Sequence, residues 1–171
     1  MINNSMFKKL WFIVLAVVSV QATCSYTMKD VSYPPEVKTA RVNYIENRAG
    51  YVNPQLSPQL TNRLRQKINN QTRLTLVTTD EPDYDIYAEI RGYTVSTSGI
   101  SEQQAATNRL QITVHIVFKN RLDEKANFEA DINRNFDFNS SQSLQQAETQ
   151  QADEILKNLT DEIFNRIFSN W

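Results

Sequence analysis

Residues 108 to 138 read NRLQITVHIVFKNRLDEKANFEADINRNFDF, and this stretch decides the fold. Each half alternates apolar and polar side chains, with Val117 an exception on the polar side, and a polar turn from Asn120 to Lys125 separates the halves. Apolar residues occupy even positions 110 to 118 and, with Arg134 as an exception, even positions 126 to 138. Because successive strand side chains point to opposite faces, the pattern predicts a long antiparallel hairpin with one dry and one wet face.

The wet face of this hairpin is the candidate functional surface. Its predicted polar residues are Gln111, Thr113, His115, Glu129, Asp131 and Asn133. A sheet with one apolar face must bury that face against another layer. We therefore expect the rest of the chain to cover the dry face and to leave the wet face open to water or to a partner.

The covering layer is predicted from two amphipathic segments. A first helix begins with Ser57 as N-cap before Pro58 and continues to about residue 70, and a second lies within Ser140–Trp171. Further strands are predicted at Lys38–Glu46, at Thr72–Thr79 and at Tyr84–Val95, where Gly92 favours a bulge.

This order, β-α-β-β-β-α, predicts the fold class. It is an α+β sandwich in which two helices pack on one face of a mixed, mainly four-stranded β-sheet. Residues 38–171 would form this single domain, since a chain of 171 residues holds one ordinary core.

The N-terminus has the organisation of an export signal. Lys8 and Lys9 precede an apolar run, Leu10–Val20, which is too short to cross a bilayer because a spanning helix needs about 20 residues. A charged start, a short apolar run and a boundary of small residues are typical of a secretory signal peptide. We assign residues 1–23 to this signal peptide and residues 24–37, which include two prolines, to a tether.

Cys24 follows the signal directly, and it is the one cysteine of the chain. Its position favours a bacterial lipoprotein in which this cysteine becomes the acylated N-terminus. Gln21 and Thr23 depart from the residue types usual before such a cysteine, so cleavage after Ala22, which leaves Cys24 a free thiol, is the alternative. A single cysteine can form neither an internal disulfide nor a multi-cysteine zinc site.

Composition and motifs argue against several functional classes. The chain has 18 basic and 19 acidic residues, unlike the basic surface of a nucleic-acid binder. His115 is the only histidine and is interpreted as a cross-strand partner on the wet face rather than a catalytic base. The acidic cluster Asp80, Glu81, Asp83 and Asp85 is interpreted as turn chemistry, because it lacks the ligand spacing of a calcium loop. We expect no enzyme, no metal and no cofactor.

Several segments together resemble one family of proteins. These are CSY at 24–26, VNYIENRA at 42–49, PQLSPQLT at 54–61, RLQITV at 109–114, FKN at 118–120 and IFSNW at 167–171. They are similar in kind and order to the lipopolysaccharide-assembly lipoprotein LptE, in the form found in Bacteroidetes-type bacteria. The resemblance covers nearly all of the chain after its signal peptide.

The resemblance implies a helix-on-sheet sandwich that plugs the outer-membrane β-barrel LptD and helps that barrel to assemble. It also implies lipopolysaccharide as a ligand, an acyl anchor at Cys24, and a place at the outer membrane facing the periplasm. A scaffold lipoprotein of a secretion or curli-type export system, with protein partners only, is the alternative.

Candidate contacts to lipid phosphates are the cationic residues Arg91, Lys119, Arg121 and Lys125. We expect them to gather near the strand ends and the hairpin tip. Charges kept on loops for solubility are the competing interpretation of the same four residues.

Overall fold

The computed structural model describes residues 33–98 and 107–169. The predicted signal peptide, Cys24 and most of the tether lie outside the described residues. The predictions made for them are therefore not tested by the fold.

The described residues form a mixed sheet covered on one face by two helices, and the α+β prediction is confirmed. The elements are β1 (Thr39–Val42), β2 (Glu46–Asn47), α1 (Leu56–Gln71), β3 (Thr75–Leu76), β4 (Tyr84–Ser98), β5 (Thr107–Asn120), a 3-10 helix (Glu124–Ala126), β6 (Phe128–Asn139) and α2 (Leu144–Phe168). The sheet order is β3-β1-β4-β5-β6, and β2 also pairs with β4. The sheet thus has six described strands rather than mainly four, because two short strands, β2 and β3, join it.

Strand direction divides the sheet into two parts. Strands β1 and β2 both run parallel to β4, and β1 also runs parallel to β3. Strands β4, β5 and β6 form a long antiparallel meander. The parallel part is short, and most of the strand pairing lies in the meander, which contains the predicted hairpin.

The hairpin forms as predicted and has the predicted dry face. β5 pairs with β6 from Thr107 opposite Asn139 to Phe118 opposite Phe128. The buried apolar side chains of the two strands are Leu110, Ile112, Val114, Ile116, Phe118, Ile132, Phe136 and Phe138. Arg134, which shares their parity, is exposed and pairs with Glu162 of α2 at the border of the sheet.

The predicted first strand, Lys38–Glu46, is wrong as one continuous strand. It divides into β1 and β2, and the alternation fails between them: Tyr44 is 56% exposed whereas Ile45 is fully buried. The Ile45 N–H donates to Thr61 Oγ1 of α1 at 3.0 Å. This contact with a helix side chain holds the chain out of the strand direction at that point.

The helices present the predicted apolar stripes to the sheet. Leu60, Leu64 and Ile68 of α1 are fully buried, as are Leu159 and Ile163 of α2. A single core between the helices and the sheet holds all of these side chains.

The helix starts differ from the prediction. α1 begins one residue before Ser57, with Gln55 at the N-cap, so Ser57 is not the cap. The Ser57 hydroxyl is buried and makes no hydrogen bond with any residue that the structure describes. α2 begins after Ser143, which forms a capping box with Gln146, three residues inside the predicted segment Ser140–Trp171.

Gly92 lies at the predicted bulge. The register of β4 against β5 shifts between Ile90 and Gly92. A Cβ atom on Gly92 would lie 2.9 Å from Thr113 Oγ1 and 3.0 Å from Thr113 Cβ. The close approach of the two strands explains why the residue without a side chain lies there.

Candidate functional site

The open face of the sheet carries His115 close to two acidic residues of the neighbouring strand. His115 Nδ1 lies 2.7 Å from Asp131 Oδ1, and His115 Nε2 lies 3.6 Å from Glu129 Oε2. Only 11% of the His115 side chain is exposed. The histidine is therefore a cross-strand partner on the wet face, as its place in the alternation predicts.

A chain of ion pairs continues across the same face from β6 to β2. Arg91 Nη1 lies 4.0 Å from Asp131 Oδ1, and the Arg91 guanidinium also pairs with Glu89. Arg48 lies 2.9 Å from Glu46 and 3.5 Å from Glu89. The hydrogen bond from Arg91 lowers the pKa of Glu89, so this carboxylate is charged at neutral pH. Most charges on this face thus have a partner of opposite sign.

A depression of about 410 Å³ lies in the middle of this network. Its lining includes Tyr44 and Tyr87, whose residues are 56% and 37% exposed. Exposed aromatic side chains surrounded by hydrogen-bonding groups are typical of protein interfaces. The open face therefore has the composition of a surface that contacts another macromolecule.

Asp83 organises the end of the sheet where the hairpin turns. One of its carboxylate oxygens accepts hydrogen bonds from the N–H of Lys38 and of Thr39, at 2.9 and 3.0 Å, and from Thr39 Oγ1. Its other oxygen lies 2.5 Å from Arg121 Nη2. Burial alone would raise the pKa of Asp83, but these donors outweigh burial and lower the pKa to about 2.

The cations predicted at the hairpin tip therefore have different roles. Arg121 is held by the buried carboxylate of Asp83. Lys119 lies over the ring of Tyr87, with its Nζ 5.4 Å from the ring centroid, and Lys125 lies exposed in the 3-10 helix. Within the described part of the chain, no carboxylate forms an ion pair with either lysine. Lys119 and Lys125 are thus the tip cations without a carboxylate partner among the described residues, whereas the half-exposed Arg121 is already paired with Asp83.

The surroundings of the tip are acidic as well as basic. A depression of about 430 Å³ there is lined by Lys119 and Arg121 but also by four acidic residues: Asp80, Glu81, Asp85 and Glu124. Three residues of the predicted acidic cluster, Asp80, Glu81 and Asp83, lie in the connection before β4, whereas Asp85 lies within β4 and pairs with Arg41. A phosphate group at this place would therefore contact the rim lysines rather than the centre of the depression.

Arg91 does not belong to the tip, and the expectation that it gathers there is wrong. In the register of β5 against β4, Lys119 lies opposite Asp85. Arg91 lies six residues further along β4, beside the bulge. At about 3.3 Å per residue that separation is about 20 Å. Arg91 lies instead in the ion-pair network of the open face.

A third feature, not found from the sequence, lies at the opposite end of the sandwich. Tyr51 Oη donates to Glu148 Oε2 at 3.2 Å, and Tyr93 Oη donates to Glu148 Oε1. Burial, together with this carboxylate, raises the pKa of Tyr93 far above its ordinary value. The adjoining depression, of about 400 Å³, reaches between the helices to Leu56 and Ile155. Tyrosine is an ordinary strand residue, so its number in the sequence did not reveal this contact.

Two further features concern the described residues, 33–98 and 107–169, alone. No group of three or more His, Cys, Asp or Glu residues among them could hold a metal ion. None of their helices is both long and apolar enough to span a membrane.

The described residues form a helix-covered sheet whose open face carries a network of ion pairs. Comparison with known families identifies the class of protein: the family model LptE, described as lipopolysaccharide-assembly, matches residues 37–167. The chain belongs to the LptE family, and is thus a lipopolysaccharide-assembly lipoprotein of the bacterial envelope.

Several solved structures are similar to this chain at low sequence identity. A protein of Xanthomonas campestris superposes with a TM-score of 0.51 at 11% identity, over 80% of this chain and 87% of that chain. A minor lipoprotein of Acinetobacter baumannii gives a TM-score of 0.49 at 13% identity, over 77% and 94%. The rare lipoprotein B of Shewanella oneidensis gives 0.43 at 14% identity, over 74% and 95%. A search of curated proteins finds no significant match.

Proposed function

We propose that this lipoprotein plugs an LptD-type outer-membrane β-barrel, helps that barrel to assemble, and takes part in lipopolysaccharide transport to the outer leaflet. The observation that carries the proposal is the family match, which covers residues 37–167 and therefore nearly the whole described domain. The LptE family implies both the barrel partner and the lipid.

The open face of the sheet supports the role of a plug. The interior of a transmembrane barrel is polar, so a domain inside it needs hydrogen-bonding surfaces. Burying an unpaired charge is costly, whereas a charge that already has a partner loses less on desolvation. The network from Asp131 through Arg91 and Glu89 to Arg48 provides such paired charges before any partner binds.

Among the four predicted lipid-contact residues, Lys119 and Lys125 are the ones we retain for lipid phosphates. Both are exposed, and both lie at the end of the hairpin. Ammonium groups form charge-assisted hydrogen bonds with phosphate oxygens. Arg121 acts instead on Asp83, and Arg91 acts on the open face.

One observation favours the alternative, a scaffold lipoprotein with protein partners only. The depression at the tip is lined by more carboxylates than cations, and carboxylates repel phosphate. Purifying a tagged full-length chain with its native partners separates the two functions. The proposed function requires both an LptD-type barrel and lipopolysaccharide in the complex, whereas a scaffold would be recovered with neither.

The role of the lysines is tested with a double variant, Lys119→Glu with Lys125→Glu. We expect lipopolysaccharide binding to weaken about tenfold, because two cationic contacts become repulsive. The control, Arg63→Glu with Lys157→Glu, makes the same charge change in surface ion pairs of the helices, which contribute little to stability. Equal binding by the two double variants would remove the tip from the lipid site.

A further inference from the structure

β6 ends the described sheet on one side and is long for such a position. It extends over Phe128–Asn139, and β5 is the one described strand that pairs with it. An edge strand presents a row of unpaired backbone N–H and C=O groups to any chain that lies beside it.

The register identifies the backbone groups that point outward. The Arg121 N–H donates to Asp83 O at 2.9 Å, so the odd-numbered residues of β5 bond to β4. The even-numbered residues of β5 must then bond to β6, where their register partners are also even-numbered. The odd-numbered residues of β6 therefore direct their N–H and C=O groups away from the sheet: Glu129, Asp131, Asn133, Asn135 and Asp137.

Two side contacts agree with this assignment. Asp137 O accepts a hydrogen bond from Gln151 Nε2 at 2.9 Å, and Asn139 O accepts one from the Gln142 N–H at 3.0 Å. Both carbonyls belong to odd-numbered residues, and both bond to groups outside the β5–β6 ladder. Gln151 thus covers one end of the edge, near Asp137.

The rest of the edge is protected by charged side chains alone. Natural sheets protect such edges with charged side chains, proline, bulges or a covering segment. β6 contains neither proline nor lysine, and its pairing with β5 is regular throughout. Between Glu129 and Asn135, no described residue makes a hydrogen bond to an outward backbone group of β6.

A second copy of the chain is a poor occupant of this edge. In the full-length antiparallel register, two copies of β6 would oppose Glu129 with Asp137 and Asp131 with Asn135. Like charges directly opposite one another across a strand pair are destabilising. The acidic side chains remain accessible, since those of Glu129, Asp131 and Asp137 are 68%, 55% and 48% exposed.

We propose that the β6 edge binds an extended segment of a protein partner, which adds a strand to the sheet and carries basic side chains on the open face. Backbone hydrogen bonds would supply affinity, and the alternating side chains would supply specificity. Basic residues would lie beside Glu129 and Asp131 and, at the end that Gln151 covers, beside Asp137, which Arg109 already contacts. On the other face, small apolar residues would continue the row of Ala130 and Ile132. The proposal depends on β6 itself and does not require the partner to be LptD.

The probe for this site is a peptide, Lys-Val-Thr-Glu-Thr-Val-Lys-Val-Lys, added to the full-length chain. Antiparallel to β6, it places lysines opposite the three acidic residues and glutamate opposite Arg134. At a peptide concentration ten times the Kd, we expect amide exchange to slow roughly tenfold at Glu129, Asp131, Asn133 and Asn135. The even-numbered amides already bond to β5 and should not change. A peptide with glutamate in place of lysine is the charge control, and it should bind more weakly.

The matched variants separate strand addition from simple attraction of charge. Asn133→Pro removes an outward N–H without removing a hydrogen bond to β5, and proline is tolerated at such edge positions. Asn133→Ala removes the same side chain and keeps the N–H. We expect the proline variant to bind the peptide at least about tenfold more weakly and the alanine variant to bind normally.

Thermal unfolding of both variants shows whether the sheet is intact. Should the proline variant unfold, Asn135→Pro repeats the test at the next outward N–H. Several results would overturn the proposal: no amide protection at millimolar peptide, equal binding by the proline and alanine variants, or protection without odd–even alternation. A concentration-dependent dimer that protects the same amides without peptide would show that the edge binds a second copy instead.

Discussion

At the scale of single residues, Asp83 shows how one carboxylate connects three parts of the sheet. It contacts the start of β1 through Lys38 and Thr39, and it contacts the hairpin turn through Arg121. Its side chain is 10% exposed, so solvent screens these contacts little. Arg121 is consequently a structural residue, although its place in a polar turn suggested a free surface charge.

Asp83 should make the stability of the domain depend on pH in the acid range. Its folded pKa of about 2 lies below the ordinary value of about 3.9, so its contribution is complete above roughly pH 5 and is lost as the pH falls through 2. In Asp83→Asn we expect a loss of about 2 kcal/mol in the free energy of unfolding at neutral pH. Denaturant unfolding between about pH 7 and pH 2 measures both effects.

The same experiment contains its own control. Other carboxylates with lowered pKa, such as Asp137 and Asp161, remain in the variant and keep part of the acid sensitivity. The variant should therefore lose stability less steeply than the wild type as the pH falls. Parallel curves for the two proteins would show that Asp83 is not the carboxylate responsible.

At the scale of elements, the sequence predicts what alternation and periodicity encode directly. The hairpin, the bulge at Gly92 and the stripes of both helices agree with the structure because each repeats a local pattern over several residues. At the break after Val42, the Ile45 N–H donates to Thr61 and the Val42 carbonyl accepts from Arg65, both of α1. These contacts join positions 16 and 23 residues apart, so no local pattern contains them.

Gly92 provides a test of strand packing. Gly92→Ala places a Cβ against the Cβ of Thr113, which cannot rotate away, so we expect a loss of about 1 to 3 kcal/mol in the free energy of unfolding. Gly50→Ala is the matched control, because nothing lies within 4 Å of its Cβ position. Thermal unfolding compares the two variants, and the midpoint of Gly92→Ala should be the lower one. Equal midpoints would show that β4 and β5 do not approach closely at the bulge.

At the scale of the whole molecule, the functional surfaces were less predictable than the fold. Alternation predicted which side chains share the open face, and His115 lies there as expected. It could not predict which charges pair, since Arg91 and Arg121 look alike in the sequence. Their partners, Glu89 and Asp83, follow from the side-chain geometry of the folded sheet. The contact between Tyr93 and Glu148 could not be predicted from the sequence for the same reason.

The predicted anchor gives a prediction for the whole lipoprotein. Cys24→Ala should abolish membrane retention in cells without LptD, because the variant lacks the residue that would carry the acyl chains, and stable attachment needs several of them. The domain should remain folded. Fractionation of cells, with circular dichroism of the purified variant, measures both properties. Full membrane retention of the variant in such cells would contradict acylation at Cys24.

The position of the domain inside the barrel is the central claim, and site-specific photocrosslinking tests it most directly. A photoreactive residue replaces Gln111 on the open face of β5 or, as the matched control, Gln66 on the exposed face of α1. The proposed plug predicts that the probe at Gln111 captures an LptD-type barrel in cells and that this crosslink exceeds the one from Gln66. Capture from Gln66 alone, or capture of other envelope proteins with no barrel from either position, would contradict the proposed function.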